Sequence, residues 1–178
     1  MSEADIEAGK AGKILQEGTG RGEESPAKAP VYARIMLVGE SHCGKSSIIR
    51  ALTHEEYRPR KALAPVYFRN FVDTPGEFLE NRRFFRALIT ASAHCDALVF
   101  VQDATRSWCM LHPGLARMFN RKVVGVITKC DHERANVERA RRFLANTGVR
   151  DIVEARLHEP RGPEELRAAL AGHGIVAG

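Results

Sequence analysis

An apolar run from Val31 to Val38 leads into Gly39-Glu40-Ser41-His42-Cys43-Gly44-Lys45-Ser46, and the stretch Ser46 to Leu52 beyond it suits a helix. No other feature limits the fold so tightly. Two glycines separated by four residues, followed by Lys and Ser between a strand and a helix, make a phosphate-binding loop. The glycines let the chain curl so that the backbone N–H groups through Ser47 converge, and the helix start adds about half a positive charge. Lys45 contributes a full charge aimed between two phosphates. The Ser46 hydroxyl is a hard oxygen suited to octahedral magnesium.

The same alternation continues along the chain. Apolar runs at Phe68 to Val72, Ala97 to Val101, Val123 to Ile127 and Ile152 to Val153 are separated by helix-compatible stretches from about Glu80 to Ala93, Leu111 to Phe119 and Val137 to Ala145. A last helix is expected from Pro163. Ala97 to Val101 and Val123 to Ile127 are continuously apolar rather than alternating, which predicts strands covered on both faces and therefore a parallel sheet between helices. In such a sheet ligands bind beyond the carboxyl ends of the strands.

Two further motifs stand at such ends. Asp73-Thr74-Pro75-Gly76 follows the run ending at Val72. It matches the element in which an Asp holds magnesium and a Gly amide meets the terminal phosphate. Thr128-Lys129-Cys130-Asp131 follows Ile127. The Asp131 carboxylate can accept from both the N1–H and the exocyclic amine of guanine, whereas adenine offers an acceptor at N1 and would leave the carboxylate unpaired. Lys129 is expected to lay its stem along the base, and Thr128 to supply a hydroxyl.

Composition narrows the remaining classes. The formal charge of +5 is spread along the chain among acidic neighbours, unlike the concentrated patch of a nucleic-acid face, so no nucleic acid is expected. Cys43, Cys95, Cys109 and Cys130 are far apart and lack paired spacing. This argues for reduced thiols and a cytoplasmic setting. No stretch approaches the roughly 18 consecutive apolar residues that span a bilayer. Residues 1–30, rich in Gly, Glu, Ala, Lys and Ser and closed by Pro26 and Pro30, are read as a flexible tail with Ile6, Ile14 and Leu15 as docking anchors, ahead of one domain over 31–178.

The order phosphate, magnesium, base resembles that of small GTPases. More narrowly, Asp73-Thr74-Pro75-Gly76-Glu77, Asn81-Arg82-Arg83-Phe84-Phe85, Ala87-Leu88-Ile89-Thr90, Asp96-Ala97-Leu98 and Ile127-Thr128-Lys129-Cys130-Asp131 are similar to the EutP/PduV family of ethanolamine- and propanediol-utilization proteins. The likeness covers roughly Arg34 to Ala169. It implies an α/β P-loop NTPase, a Ras-like three-layer sandwich with a mostly parallel central sheet, which binds GTP or GDP with Mg2+, ATP being the alternative nucleotide. It also implies a bacterial microcompartment association, with a shell or enzyme partner met through the tail, and carries a proposed acetate kinase activity.

Three departures matter. The only threonine between Lys45 and Asp73 is Thr53, so Arg60-Lys61-Ala62-Leu63-Ala64-Pro65 lacks the threonine that commonly completes the magnesium shell. Glu77 stands where signalling GTPases keep a water-orienting glutamine, and a carboxylate there repels the terminal phosphate, which predicts slow hydrolysis. Where a Ser-Ala loop would support the base, the chain has Glu154-Ala155-Arg156-Leu157, and the Ala155 backbone is the expected substitute.

Overall fold

The computed structural model describes residues 33–58 and 64–177. The tail over 1–30 and the positions Arg60 to Leu63, in the stretch that lacks the threonine, lie outside the described residues. Strand β1 is Ile35–Gly39, followed by helix α1 over Lys45–Thr53. A hairpin of β2 (Val66–Phe68) and β3 (Phe71–Asp73) comes next, then the short helix α2 (Glu77–Glu80), a 3-10 turn over Arg82–Phe84 and helix α3 (Phe85–Ser92). Strands β4 (Ala97–Asp103) and β5 (Lys122–Thr128), helix α4 (Val137–Asn146), strand β6 (Asp151–Glu154) and helix α5 (Gly162–Gly172) complete the order.

The sheet runs β2-β3-β1-β4-β5-β6, with only β2 antiparallel. All of β1 and β4 is buried, as doubly covered strands must be. Successive side chains alternate between faces. Ile35, Leu37, Val99, Val101, Val124 and Val126 therefore join Ile48, Ile49 and Leu52 of α1 and Leu166 and Leu170 of α5 in one core. Met36, Val38, Leu98 and Phe100 point the other way, onto Leu88 of α3 and Leu144 of α4. The result is the expected three-layer α/β sandwich. Among the described residues no helix is long and apolar enough to cross a membrane.

Three elements differ from the sequence reading. The run Phe68 to Val72 is not one strand, because Arg69 adopts a left-handed φ of 51° and, with Asn70, turns the chain back on itself. The helix expected from Glu80 to Ala93 is interrupted at Asn81, whose extended backbone ends α2 and whose side chain accepts from the Arg83 amide at 3.0 Å. Leu111 to Phe119 holds only a 3-10 helix over Leu115–Met118, since Pro113 precedes Gly114 at φ 74° and no α-helix passes through that pair.

Candidate functional site

The strand registers bring polar residues to one edge. Leu37 of β1 lies opposite Asp73, Gly39 opposite Val101, Asp103 opposite Thr128, and Ile127 opposite Glu154. Gly39, Asp73, Asp103, Thr128 and Glu154 thus finish their strands at the same side. The chain leaves β1 toward β3 on one flank and reaches β4 on the other, so the loop after Gly39 sits at the switch point where open α/β sheets take ligands.

That loop is curled and braced. Gly44 has φ 104°, which favours glycine, and a Cβ there would press to within 3.2 Å of the Thr128 side chain. The Thr128 hydroxyl donates to the Cys43 carbonyl at 2.6 Å, which makes this residue a brace for the loop. Helix α1 starts with no side-chain cap and no acidic residue in its first turn. Among the described backbone hydrogen bonds the amides of Gly44, Lys45, Ser46 and Ser47 have no acceptor, and free N–H groups at a helix start attract anions. The row of converging amides expected from the sequence lacks one member: the Cys43 amide closes a turn onto the Glu40 carbonyl at 3.3 Å.

Lys45 is buried, and its ammonium donates to the carbonyls of Gly39 at 2.8 Å and Glu40 at 2.9 Å, with one N–H left over. The Glu40 side chain turns sideways and accepts from the Trp108 indole N–H at 3.2 Å. The Arg106 guanidinium covers that ring at 4.8 Å. Ser41 lies against Gly76, where an added Cβ would collide with the Ser41 amide, so only glycine lets the turn after β3 approach this closely. His42 is exposed and left-handed at φ 63°, a conformation His tolerates better than most residues.

Asp73, at the end of β3, is 8% exposed. Its Oδ2 accepts from the Tyr57 hydroxyl at 2.9 Å, while Oδ1 is buried with no partner. Burial pushes its carboxyl above the usual range, against the opposing pull of the Lys45 charge and of the Tyr57 and Ser46 hydroxyls. A buried carboxylate oxygen with an unused lone pair beside a serine hydroxyl fits a hard divalent cation. Asp73 and Ser46 are therefore the residues that would hold magnesium. Thr74 anchors the turn through a 2.7 Å bond from its hydroxyl to the Leu37 carbonyl. Glu77, the first residue of α2, is exposed.

At the β5 end, Lys129 is left-handed at φ 56°. Its ammonium bonds the His42 carbonyl at 3.0 Å and Asp103 Oδ2 at 2.5 Å, so the base-side motif grips the phosphate loop. Asp103 is 1% exposed and also accepts from the amide and hydroxyl of Thr105. Burial alone would raise its carboxyl, but the Lys129 and Thr105 hydrogen bonds outweigh it and hold the group below the usual carboxylate range. Asp131 is exposed and has no hydrogen-bond partner among the described side chains. One expectation is corrected here. The Ala155 amide is spent on the Ile127 carbonyl at 2.8 Å, extending the β5–β6 ladder, and its side chain is fully buried. The next amides, of Arg156 and Leu157, have no backbone acceptor among the described residues.

Asp103 and Tyr57 belong to no motif read from the sequence, where Trp108 reads as a cover of the core; it is instead 46% exposed and bonds Glu40. Asp103 was findable, standing at the end of an apolar run where ligand-side residues gather. Tyr57 and Trp108 meet the loop only through long-range packing and have no local signature. Replacing Thr128 with Val would leave the Cys43 carbonyl without its donor, and we expect a loss of about 1–3 kcal/mol in stability, measured by denaturant unfolding.

The model of the PduV-EutP family, described as ethanolamine utilisation - propanediol utilisation, matches residues 32–171. The chain is similar to the propanediol utilization protein PduV of Citrobacter freundii, with 32% identity over 134 residues covering 75% of this chain and 89% of that protein. It is also 34% identical over 142 residues to the probable acetate kinase EutP of Salmonella typhimurium, covering 78% and 89% of the two chains. Among solved structures, a probable GTP-binding protein engB superposes with a TM-score of 0.55 at 17% identity over 78% of this chain and 96% of its own. The FeoB G-domain of Methanococcus jannaschii gives 0.54 at 22% identity, covering 79% and 96%. These two likenesses establish the P-loop GTPase fold, and the family match, spanning all three loop motifs, establishes that the chain belongs to the PduV–EutP family of ethanolamine- and propanediol-utilisation proteins.

Proposed function

We propose that this protein binds a guanine nucleotide with Mg2+ and hydrolyses GTP slowly, in support of ethanolamine- or propanediol-type metabolism. The observation that carries the reading is the brace between the two ends of the site: Thr128 and Lys129 of the base motif bond directly to Cys43 and His42 of the phosphate loop. One ligand with a polyphosphate at one end and a base at the other suits that arrangement. Lys45 and the amides from Gly44 to Ser47 bind and orient the phosphates. Asp131, held in place by the anchored Lys129, accepts from the guanine edge. Magnesium bound by Ser46 and Asp73 would neutralise charge building on the phosphate oxygens. Glu77 is free to approach the terminal phosphate but, as a carboxylate, disfavours it, which supports a low turnover.

The probable acetate kinase EutP among the relatives supports a second reading, transfer of a phosphoryl group to acetate with the same Lys45 and cation site. We also propose a cytoplasmic setting with microcompartment association and a docking role for residues 1–30 toward a shell or enzyme partner, a reading that the family's tie to ethanolamine and propanediol utilisation and the composition of the tail support. The decisive experiment is isothermal titration of the full chain with GTP, GDP, ATP and acetate, with and without Mg2+, followed by phosphate release. We expect GDP and GTP to bind more tightly than ATP, Mg2+ to strengthen GTP, and slow phosphate release without acetate. Consumption of nucleotide only when acetate is present would establish the kinase instead, and absence of nucleotide affinity would end both readings.

A further inference from the structure

Tyr57 is 4% exposed, although it belongs to the irregular stretch after α1. Its ring packs on Phe68 of β2, with centroids 4.9 Å apart and planes at 47°. Its hydroxyl does not reach solvent. It donates to Asp73 Oδ2 at 2.9 Å, and Asp73 Oδ1 is the carboxylate oxygen left without a partner. A carboxylate pinned through one oxygen cannot rotate freely, so the bond decides where the second oxygen points.

The other hydroxyls of this part of the chain are committed or remote. Thr53 bonds the Ile49 carbonyl within α1 at 2.8 Å, Ser47 accepts from Arg50, and Tyr67 is 60% exposed on the edge strand. Apart from the Ser46 hydroxyl, which also favours the ionised Asp73, Tyr57 is the one described residue from Ser46 to Asp73 whose hydroxyl bonds the carboxylate. It is also the sole described hydrogen-bond link between residues 54–58 and that group.

We propose that Tyr57 is a positioning residue of the cation site, its hydroxyl fixing Asp73 so that Oδ1 is presented to a divalent ion shared with Ser46, and so tying residues 54–58, which follow α1, to that ion. The inference rests on the cation-site reading above. Partners that orient metal-binding carboxylates typically change metal affinity by 10–100-fold when removed. A hydroxyl placed there only for packing would change stability and leave the ion untouched.

The test uses Mn2+ in place of Mg2+, with the full chain saturated with GDP, and counts bound ion by electron paramagnetic resonance. Tyr57→Phe keeps the ring on Phe68 and is expected to weaken Mn2+ about 10–100-fold, while GDP affinity in EDTA stays within about twofold. In an Asp73→Asn background the same change should cost little more, because both act through one bond. Mn2+ affinity within about twofold of wild type in a folded Tyr57→Phe protein, or a full additional loss on top of Asp73→Asn, would overturn the proposal. Should Tyr57→Phe not fold, Tyr57→Leu is the second variant without a donor and is judged by the same numbers. A wild-type protein that holds GDP without Mn2+ would instead overturn the cation site itself.

Discussion

Replacing Lys45 with alanine is expected to lower GTP and GDP affinity by at least about a hundredfold, since charge-assisted bonds to phosphate are the strong ones and each is worth about 1.5–3 kcal/mol. The structure explains why the loss should be so large. Lys45 is 7% exposed, yet among the described residues no carboxylate lies within ion-pair distance of its ammonium. Its two bonds are to the neutral carbonyls of Gly39 and Glu40. A buried cation whose direct hydrogen bonds all go to neutral carbonyls is poised for an anion. Alanine would also release both carbonyls and loosen the curl that aims the amides. Titration calorimetry with each nucleotide measures the effect, and a melting curve shows whether the fold survives. Unchanged affinity in a folded variant would remove phosphate from this loop altogether.

The residues that made the fold legible are those whose local chemistry and global role coincide. Strands β4 and β5 were readable because two helical layers cover them and their side chains are apolar on both faces. The loop from Gly39 to Ser46 was readable because its turn and its chemistry both demand those residue types. What escaped depended on partners distant in sequence or on unusual backbone. Arg69 and Asn70 carry no glycine, yet a left-handed Arg69 makes the β2–β3 hairpin inside what reads as one apolar run. The bond from Tyr57 to Asp73 spans 16 residues and that from Trp108 to Glu40 spans 68. Ala155 was mistaken for a ligand-facing amide because the strand end falls one residue later than the motif suggests. Pairing of β5 with β6 claims its N–H first.

The second large effect is a change of base. Asp131→Asn is expected to weaken GTP on the order of a hundredfold or more and to strengthen XTP correspondingly, since a site built around hydrogen bonds rejects a ligand that leaves them unpaired. Guanine presents two donors, N1–H and the exocyclic amine, and a carboxylate accepts both. An asparagine amide accepts one and opposes the other with its own N–H groups. Xanthine has a carbonyl where guanine has the amine, so the amide then pairs at both positions. The neighbours of Asp131 support a clean result. Lys129 is held by Asp103 and the His42 carbonyl rather than by Asp131, and Thr128 is held on Cys43. Neither brace depends on the charge at position 131, so stability and phosphate contacts should be preserved while selectivity changes. Competition of GTP, XTP and ATP against a fluorescent GDP analogue measures the ratios. If GTP and XTP keep their wild-type ratio, the base is selected elsewhere. The loop from Gly39 to Ser46 would then serve a nucleotide of either kind, and phosphoryl transfer to a carboxylate becomes the better account of the site.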